Sequence, residues 1–198
     1  MQIAIFGGSF NPPHLGHFLS AQQLVDFGFI DQVWLMPCYA HVWNKKLALI
    51  EHRLKMTKFL ENEKIKVSEL EIKEKKPVYT IETMELLKKK HPRHYFSLII
   101  GEKSLKELSK WKDYKRLIKN YKFLVVPQNS SNTSHPRPRR GEAEGGQSSI
   151  IKPISHPLWV TTGVSSSIIR KRVKKGISIV GLVPGKVREY IKKNKLYH

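Results

Sequence analysis

Two histidines three residues apart, His14 and His17, close the stretch Gly7-Gly8-Ser9-Phe10-Asn11-Pro12-Pro13-His14-Leu15-Gly16-His17. At the start of a helix that spacing puts both imidazoles on one face. No nearby Cys or Asp suggests a metal site, and both rings can donate to phosphate oxygens. Gly7 and Gly8 let backbone approach a ligand closely, and the prolines stiffen the turn. Near the other end, Ser165, Ser166, Ser167 and Arg170 set hydroxyls, N–H groups and a cation at a second helix start, which also suits an anion. Two phosphate sites in one crevice fit a polyphosphate ligand. Phosphoryl-type transfer there needs positioning and neutralised charge, not a nucleophilic side chain, and none is evident.

The elements that must carry these groups follow from periodicity. Ile3-Ala4-Ile5-Phe6 reads as a buried strand, and Phe18, Ala21, Leu24 and Val25 mark a helix ending near Gly28. Further strands are expected at Val33–Met36, Ile65–Leu70, Tyr95–Gly101, Phe123–Pro127 and Leu158–Val160. Helices are expected from Ile50 to Leu60, around Ile81–Leu87, from Ser104 through Ile118, from Ser165 to Lys175, and after Pro184. Strands alternating with helices imply crossover connections and a parallel sheet. Its ligand crevice lies at the carboxyl ends of the strands, where Gly7–His17, Gly101 and the loop after Val160 meet. Residues 128 to 149 carry almost nothing apolar, so a flexible surface loop is expected over 128–156.

Composition bounds the rest. The chain has 198 residues, 40% of them apolar, which suits one domain over 1–198 with its own core. No apolar run approaches membrane-spanning length, and the immediate strand leaves no room for a signal peptide. With one cysteine, Cys38, no intrachain disulfide forms. A cytoplasmic protein without membrane association is expected. Thirty-six basic against 16 acidic residues give +20, which attracts polyanions. The lysines are spread along the chain and no nucleic-acid module accompanies them, so a solvated basic surface is preferred over a nucleic-acid face.

Gly8, Phe10, Pro12, His14, Gly16 and His17 match the G-x-F-x-P-x-H-x-G-H signature, and the chain resembles the nucleotidylyltransferase superfamily there. Val164–Arg170 is similar to its I-S-x-T-x-x-R, with Val for Ile and Ser167 for Thr. Val78-Tyr79-Thr80-Ile81-Glu82-Thr83, Ile99–Leu105 followed by Trp111, and Glu51-His52-Arg53 with Met56 resemble segments of nicotinate-mononucleotide adenylyltransferases. This likeness implies an α/β, single-domain, Rossmann-like nucleotidylyltransferase fold, a parallel sheet flanked by helices. It implies transfer of AMP from ATP to nicotinate mononucleotide, with Mg²⁺ accompanying ATP and no protein metal site. His14, His17 and Arg170 would be catalytic. Gly7, Gly8, Ser9, Phe10, Gly16, Gly101, Glu102 and Ser165–Ser167 would bind ATP. Lys45, Lys46, Tyr79, Thr80 and Trp111 would bind the mononucleotide, a cationic ring suiting the Trp111 face. Lys103 stands where the family usually has Asp, so either Glu102 holds the ribose one place earlier or the chain handles its nucleotide differently. The loop Trp43-Asn44-Lys45-Lys46 looks more like that of nicotinamide-type relatives. Nicotinamide mononucleotide, phosphopantetheine, or non-catalytic binding of nucleotides or nucleic acid therefore stay open, as does a homo-oligomer.

Overall fold

The computed structural model describes residues 1–43, 45–127 and 150–198. Strands β1 (Gln2–Gly8), β2 (Gln32–Pro37), β3 (Ile65–Val67), β4 (Tyr95–Gly101), β5 (Lys122–Val126) and β6 (Ile151–Pro153) form one sheet. Their order is β3-β2-β1-β4-β5-β6, and each neighbouring pair is parallel. Strand side chains alternate between two cores. Ala4, Val33, Leu35, Ile99, Leu124 and Val126 enter one, beneath α1 (Leu15–Asp26), α2 (Ile50–Lys58), α7 (Ser166–Lys174) and α8 (Gly185–Lys193). Ile3, Ile5, Met36, Leu98, Ile100 and Phe123 enter the other, beneath α3 (Leu70–Lys73), α4 (Thr80–Lys90) and α6 (Tyr114–Asn120). With both faces covered, the strands read as continuous apolar runs.

The chain winds outward from β1 to β3, then returns to lay β4 on the other side of β1. The helices after β1 and β4 therefore leave in opposite senses, opening a crevice at the carboxyl ends of these strands. Gly7 and Gly8 end β1 and Gly101 ends β4, so three glycines border that crevice.

Three expectations are corrected. Leu158–Val160 is not a strand; the sixth strand is Ile151–Pro153, inside the expected 128–156 loop. The reason lies in pairing: Gln23 Nε2 donates to Val160 O (2.9 Å) and its Oε1 accepts from Val160 N (2.6 Å). A side chain thus takes both peptide groups that a ladder would use. The helix expected from Ser104 through Ile118 is α5 (Glu102–Lys106), a 3₁₀ turn at Leu108–Lys110, and α6. Extended Trp111 and left-handed Asp113 (φ 51°) interrupt it, and Asp tolerates that conformation better than most residues. Leu70 opens α3 instead of ending β3. The remainder of the expected loop, 128–149, lies outside the described residues.

Candidate active site

The turn after β1 is built from inside outward. Phe10, only 2% exposed, takes a left-handed φ of 46° and drives its ring into the core. There it lies 4.9 Å from the His17 ring, so burying one apolar ring fixes the imidazole beside it. His17 stacks on His14 at 3.7 Å between centroids. The His14 backbone N–H donates to His17 Nδ1 (3.2 Å). With Nδ1 an acceptor, the neutral His17 ring carries its hydrogen on Nε2 and is a donor there. Burial lowers the His14 pKa to about 4. Burial, with His14 beside it, holds His17 well below its ordinary value too. Both rings are neutral at pH 7 in the free protein. Among the described residues, buried His14 Nδ1 finds no hydrogen-bond partner, a donor or acceptor in reserve.

Gly16 sits where a side chain would not fit. A Cβ there would stand 2.9 Å from Thr162 Oγ1 and 3.1 Å from His14 Nδ1. A Cβ on Gly7 would instead meet nothing within 4 Å, leaving the end of β1 open to a ligand's close approach.

The second cluster is tied to this turn by hydrogen bonds. Ser165 caps α7, accepting from Ile168 N at 3.3 Å. Ser166 Oγ donates to Pro12 O (2.7 Å) and Arg170 to Asn11 O (2.7 Å). Arg170 also reaches Ser167 Oγ at 3.4 Å. Asn11 is a buried junction, its Oδ1 accepting from Ala48 N (3.2 Å) and the Tyr197 hydroxyl (2.9 Å).

Arg53 is the largest fully buried side chain, 1% exposed. Its guanidinium donates to Ala48 O (2.9 Å), Ser9 O (2.9 Å), Cys38 O (2.7 Å) and Tyr39 O (2.7 Å). One cation thereby staples the turn at Ser9 to the loop from Cys38 to Ala48. Burial pulls its pKa down from the usual value, while four carbonyl dipoles favour the charged form.

These groups open on a cleft of about 840 Å³, the size of a nucleotide-scale site. Gly7, Gly8, Ser9, His14, Gly16 and His17 line one side, with Ser165 and Gly101. Lys45, Tyr79, Thr80 and Trp111 line another. Tyr79 precedes α4, its N–H donates to Glu82 (3.1 Å), and Lys112 Nζ lies 4.6 Å over its ring. Lys45 Nζ is 5.3 Å over the Trp43 ring. Phe10, Lys46, Glu102, Ser166, Ser167 and Arg170 are not among the lining residues, while Lys103 is. For Glu102 and Lys103 the reason is one of phase: Gly101 caps α5, and the first residue of the helix turns away as the second turns inward.

Sequence reasoning passed over Glu71, Thr162, Cys38 and Lys112, which also line the cleft, and the clasp of Gln23 on Val160. Arg53 was legible as part of a motif but not as a staple. Glu71 gave no signal, standing among the alternating glutamates and lysines of Ser68–Lys76.

Comparison with known proteins agrees with this architecture. A family model described as cytidylyltransferase-like matches residues 5–172. A protein of Flavobacterium johnsoniae named as a probable nicotinate-nucleotide adenylyltransferase is 36% identical over 208 residues, spanning 100% of this chain and 99% of the relative. One of Bacillus licheniformis with the same name is 32% identical, spanning 99% and 98%. Among solved structures, Plasmodium falciparum nicotinic acid mononucleotide adenylyltransferase complexed with NaAD superposes with a TM-score of 0.78 at 21% identity, covering 99% of this chain and 97% of that one. That likeness speaks to the fold.

Proposed function

The chain belongs to the cytidylyltransferase-like family, and from that premise we infer that it transfers AMP from ATP to nicotinate mononucleotide, giving deamido-NAD and pyrophosphate. It is a nucleotidyltransferase of NAD biosynthesis. The observation that carries this reading is a single cleft that joins the stacked imidazoles of His14 and His17 to the start of α4.

The chemistry follows from those groups. A phosphate oxygen of the acceptor attacks the α-phosphorus of ATP, the bond to the bridging oxygen breaks, and pyrophosphate leaves. The acceptor phosphate is already ionised, so no side chain has to remove a proton. His17, through Nε2–H, and His14 donate to the oxygens on which charge accumulates. The arriving triphosphate opposes the effect of burial on both rings and draws them toward the imidazolium form. Ser165, Ser166, Ser167 and Arg170 hold the departing pyrophosphate. Gly7, Gly8, Ser9, Gly16 and Gly101 give the nucleotide close access to backbone, with Phe10 buttressing His17. From the β4–α5 turn, Lys103 meets the nucleotide in preference to Glu102. The pyridine ring stacks on Trp111 beside Tyr79, its carboxylate at the first-turn N–H groups of α4 from Thr80. Lys45, with Lys46 next in the chain, meets the acceptor phosphate.

Among the described residues no group of three or more His, Cys, Asp or Glu side chains is arranged to hold a metal ion. Mg²⁺ would come in as a companion of the ATP phosphates, supplying charge neutralisation there. Residues 1–198 act as one unit, and the reaction belongs to the cytoplasm, which supplies ATP. No described helix is long and apolar enough to cross a membrane.

Pyrophosphate release from ATP tests the reading. Release that depends on nicotinate mononucleotide is expected. The Trp43 and Lys45 loop keeps nicotinamide mononucleotide as a second reading, supported if that acceptor turns over faster. Salt-sensitive DNA binding without turnover of either would overturn both.

A further inference from the structure

Glu71 is a carboxyl group that the transfer chemistry does not use. It lies on α3, is 8% exposed, and lines the cleft. Its Oε1 accepts from Thr83 Oγ1 at 2.6 Å, and Thr83 sits in the first turn of α4. Among the described residues this is the carboxyl's single hydrogen bond, and no lysine, arginine or histidine pairs with it. From β2 and the residue after it, Cys38 presents a thiol whose own pKa burial raises. Arg53 lies beyond that thiol, its donors committed to carbonyls. From α4 and the turn after Trp111, Glu82 and Lys112 pair with each other at 2.6 Å. Within α3 itself, Lys73 is a surface group. Among the described residues, nothing facing Glu71 neutralises a negative charge on it.

The start of α4 is also where the acceptor's ring carboxylate is read to bind. One helix N-terminus and one dry wall of a cleft would then hold two carboxylates. Two such groups in a poorly solvated site do not both ionise readily. Burial has already pushed the Glu71 pKa up to about 7, so a second negative charge falls on a group poised to take up a proton.

We propose that Glu71 is a specificity-determining residue for the acceptor, binding a carboxylate-bearing pyridine ring in its protonated form and a carboxamide-bearing ring in either form. Binding of nicotinate mononucleotide is then coupled to proton uptake, and binding of nicotinamide mononucleotide is not. By linkage, affinity for the first falls as pH rises above neutrality, by up to ~tenfold per pH unit, while affinity for the second stays level. This rests on the acceptor reading given above. Both mononucleotides carry the same phosphate, so its titration, and that of His14 and His17, cancels in the comparison.

The test is calorimetric titration of each mononucleotide into the intact protein with a non-hydrolysable ATP analogue, at pH 7.0, 7.5 and 8.0. Two buffers of different ionisation enthalpy at each pH give the protons taken up. Nicotinate mononucleotide should take up more protons than nicotinamide mononucleotide in the parent, and the difference should vanish in Glu71→Gln, which keeps the acceptor for Thr83. Thr83→Val removes the bond that favours the charged carboxylate, so it should move the fall in affinity to higher pH. Equal uptake for the two ligands, or a difference that survives in Glu71→Gln, overturns the role of Glu71. If neither mononucleotide binds, the acceptor reading falls and this inference with it.

Discussion

Replacing Arg53 with methionine keeps a similar length and removes every donor. Four carbonyls, those of Ser9, Cys38, Tyr39 and Ala48, lose their partner at once. Net contributions of about 1–1.5 kcal/mol for each such bond sum to about 4–6 kcal/mol. Part of this is offset, because a charge that is 1% exposed no longer has to be held away from water. A net loss of about 3–5 kcal/mol follows, a large share of the 5–15 kcal/mol typical of a folded domain. Urea unfolding at pH 7.5, followed by circular dichroism, measures it as a lower midpoint with an unchanged slope. Arg53→Lys should recover only part, since an ammonium group has three donors and no planar fork to span both segments. A loss below about 1 kcal/mol in Arg53→Met would refute the reasoning, because it would mean that water or local rearrangement satisfies those carbonyls.

Four further outcomes are expected. His17→Ala should lower kcat by about 10²–10³-fold with its circular dichroism spectrum unchanged; activity within a few-fold of the parent would remove His17 from the chemistry. Gly16→Ala, whose Cβ would meet Thr162 Oγ1 at 2.9 Å, should cut turnover at least tenfold by displacing that hydroxyl or the His14 ring, a ~1 Å misplacement being costly; steady-state kinetics beside a melting curve separates this from unfolding. Lys103→Ala should raise KM for ATP several-fold and Glu102→Ala should leave it within about twofold, since only Lys103 faces the cleft; the reverse ranking would return the ribose to Glu102. Glu71 gives a pH effect whose sign is fixed: its pKa rises from 4.5 to about 7, so the folded chain holds that proton more tightly than the unfolded chain. Stability therefore falls as pH climbs from about 4.5 through 7, by about 3 kcal/mol from this group. Urea unfolding of Glu71→Gln at pH 5 and pH 8 should find the variant gaining on the parent by about that amount, and no gain would contradict the burial argument.

What the sequence determined by itself lies close together along the chain. The strands around Ile5, Leu35, Ile99 and Leu124 are apolar runs long enough to be seen locally, and Gly7–His17 carries its chemistry in eleven consecutive residues. Ser165 announces α7 because a hydroxyl caps the N–H three residues on. From these came the parallel sheet, the crevice at its carboxyl edge, and the expectation that two imidazoles on one face meet phosphate.

Only the tertiary structure decided the rest, and the common cause is sequence distance. The strand expected at Leu158–Val160 failed because Gln23, 137 residues away, takes the peptide groups a ladder needs. Ile151–Pro153 became β6 because Phe123–Val125 offers it a free edge, which no periodicity over three residues announces. Arg53 is an ordinary surface-type residue in its own helix; the four carbonyls that justify burying it come from segments that meet only in the fold. Glu71 likewise stands among like-charged neighbours in sequence and acquires its raised pKa from the dry wall around it. Local sequence sets backbone preference and side-chain period, which are properties of a few adjacent residues. Desolvation, hydrogen-bond completion and the pKa of a buried group depend on which distant atoms exclude water, and those distances are set only when the sheet closes.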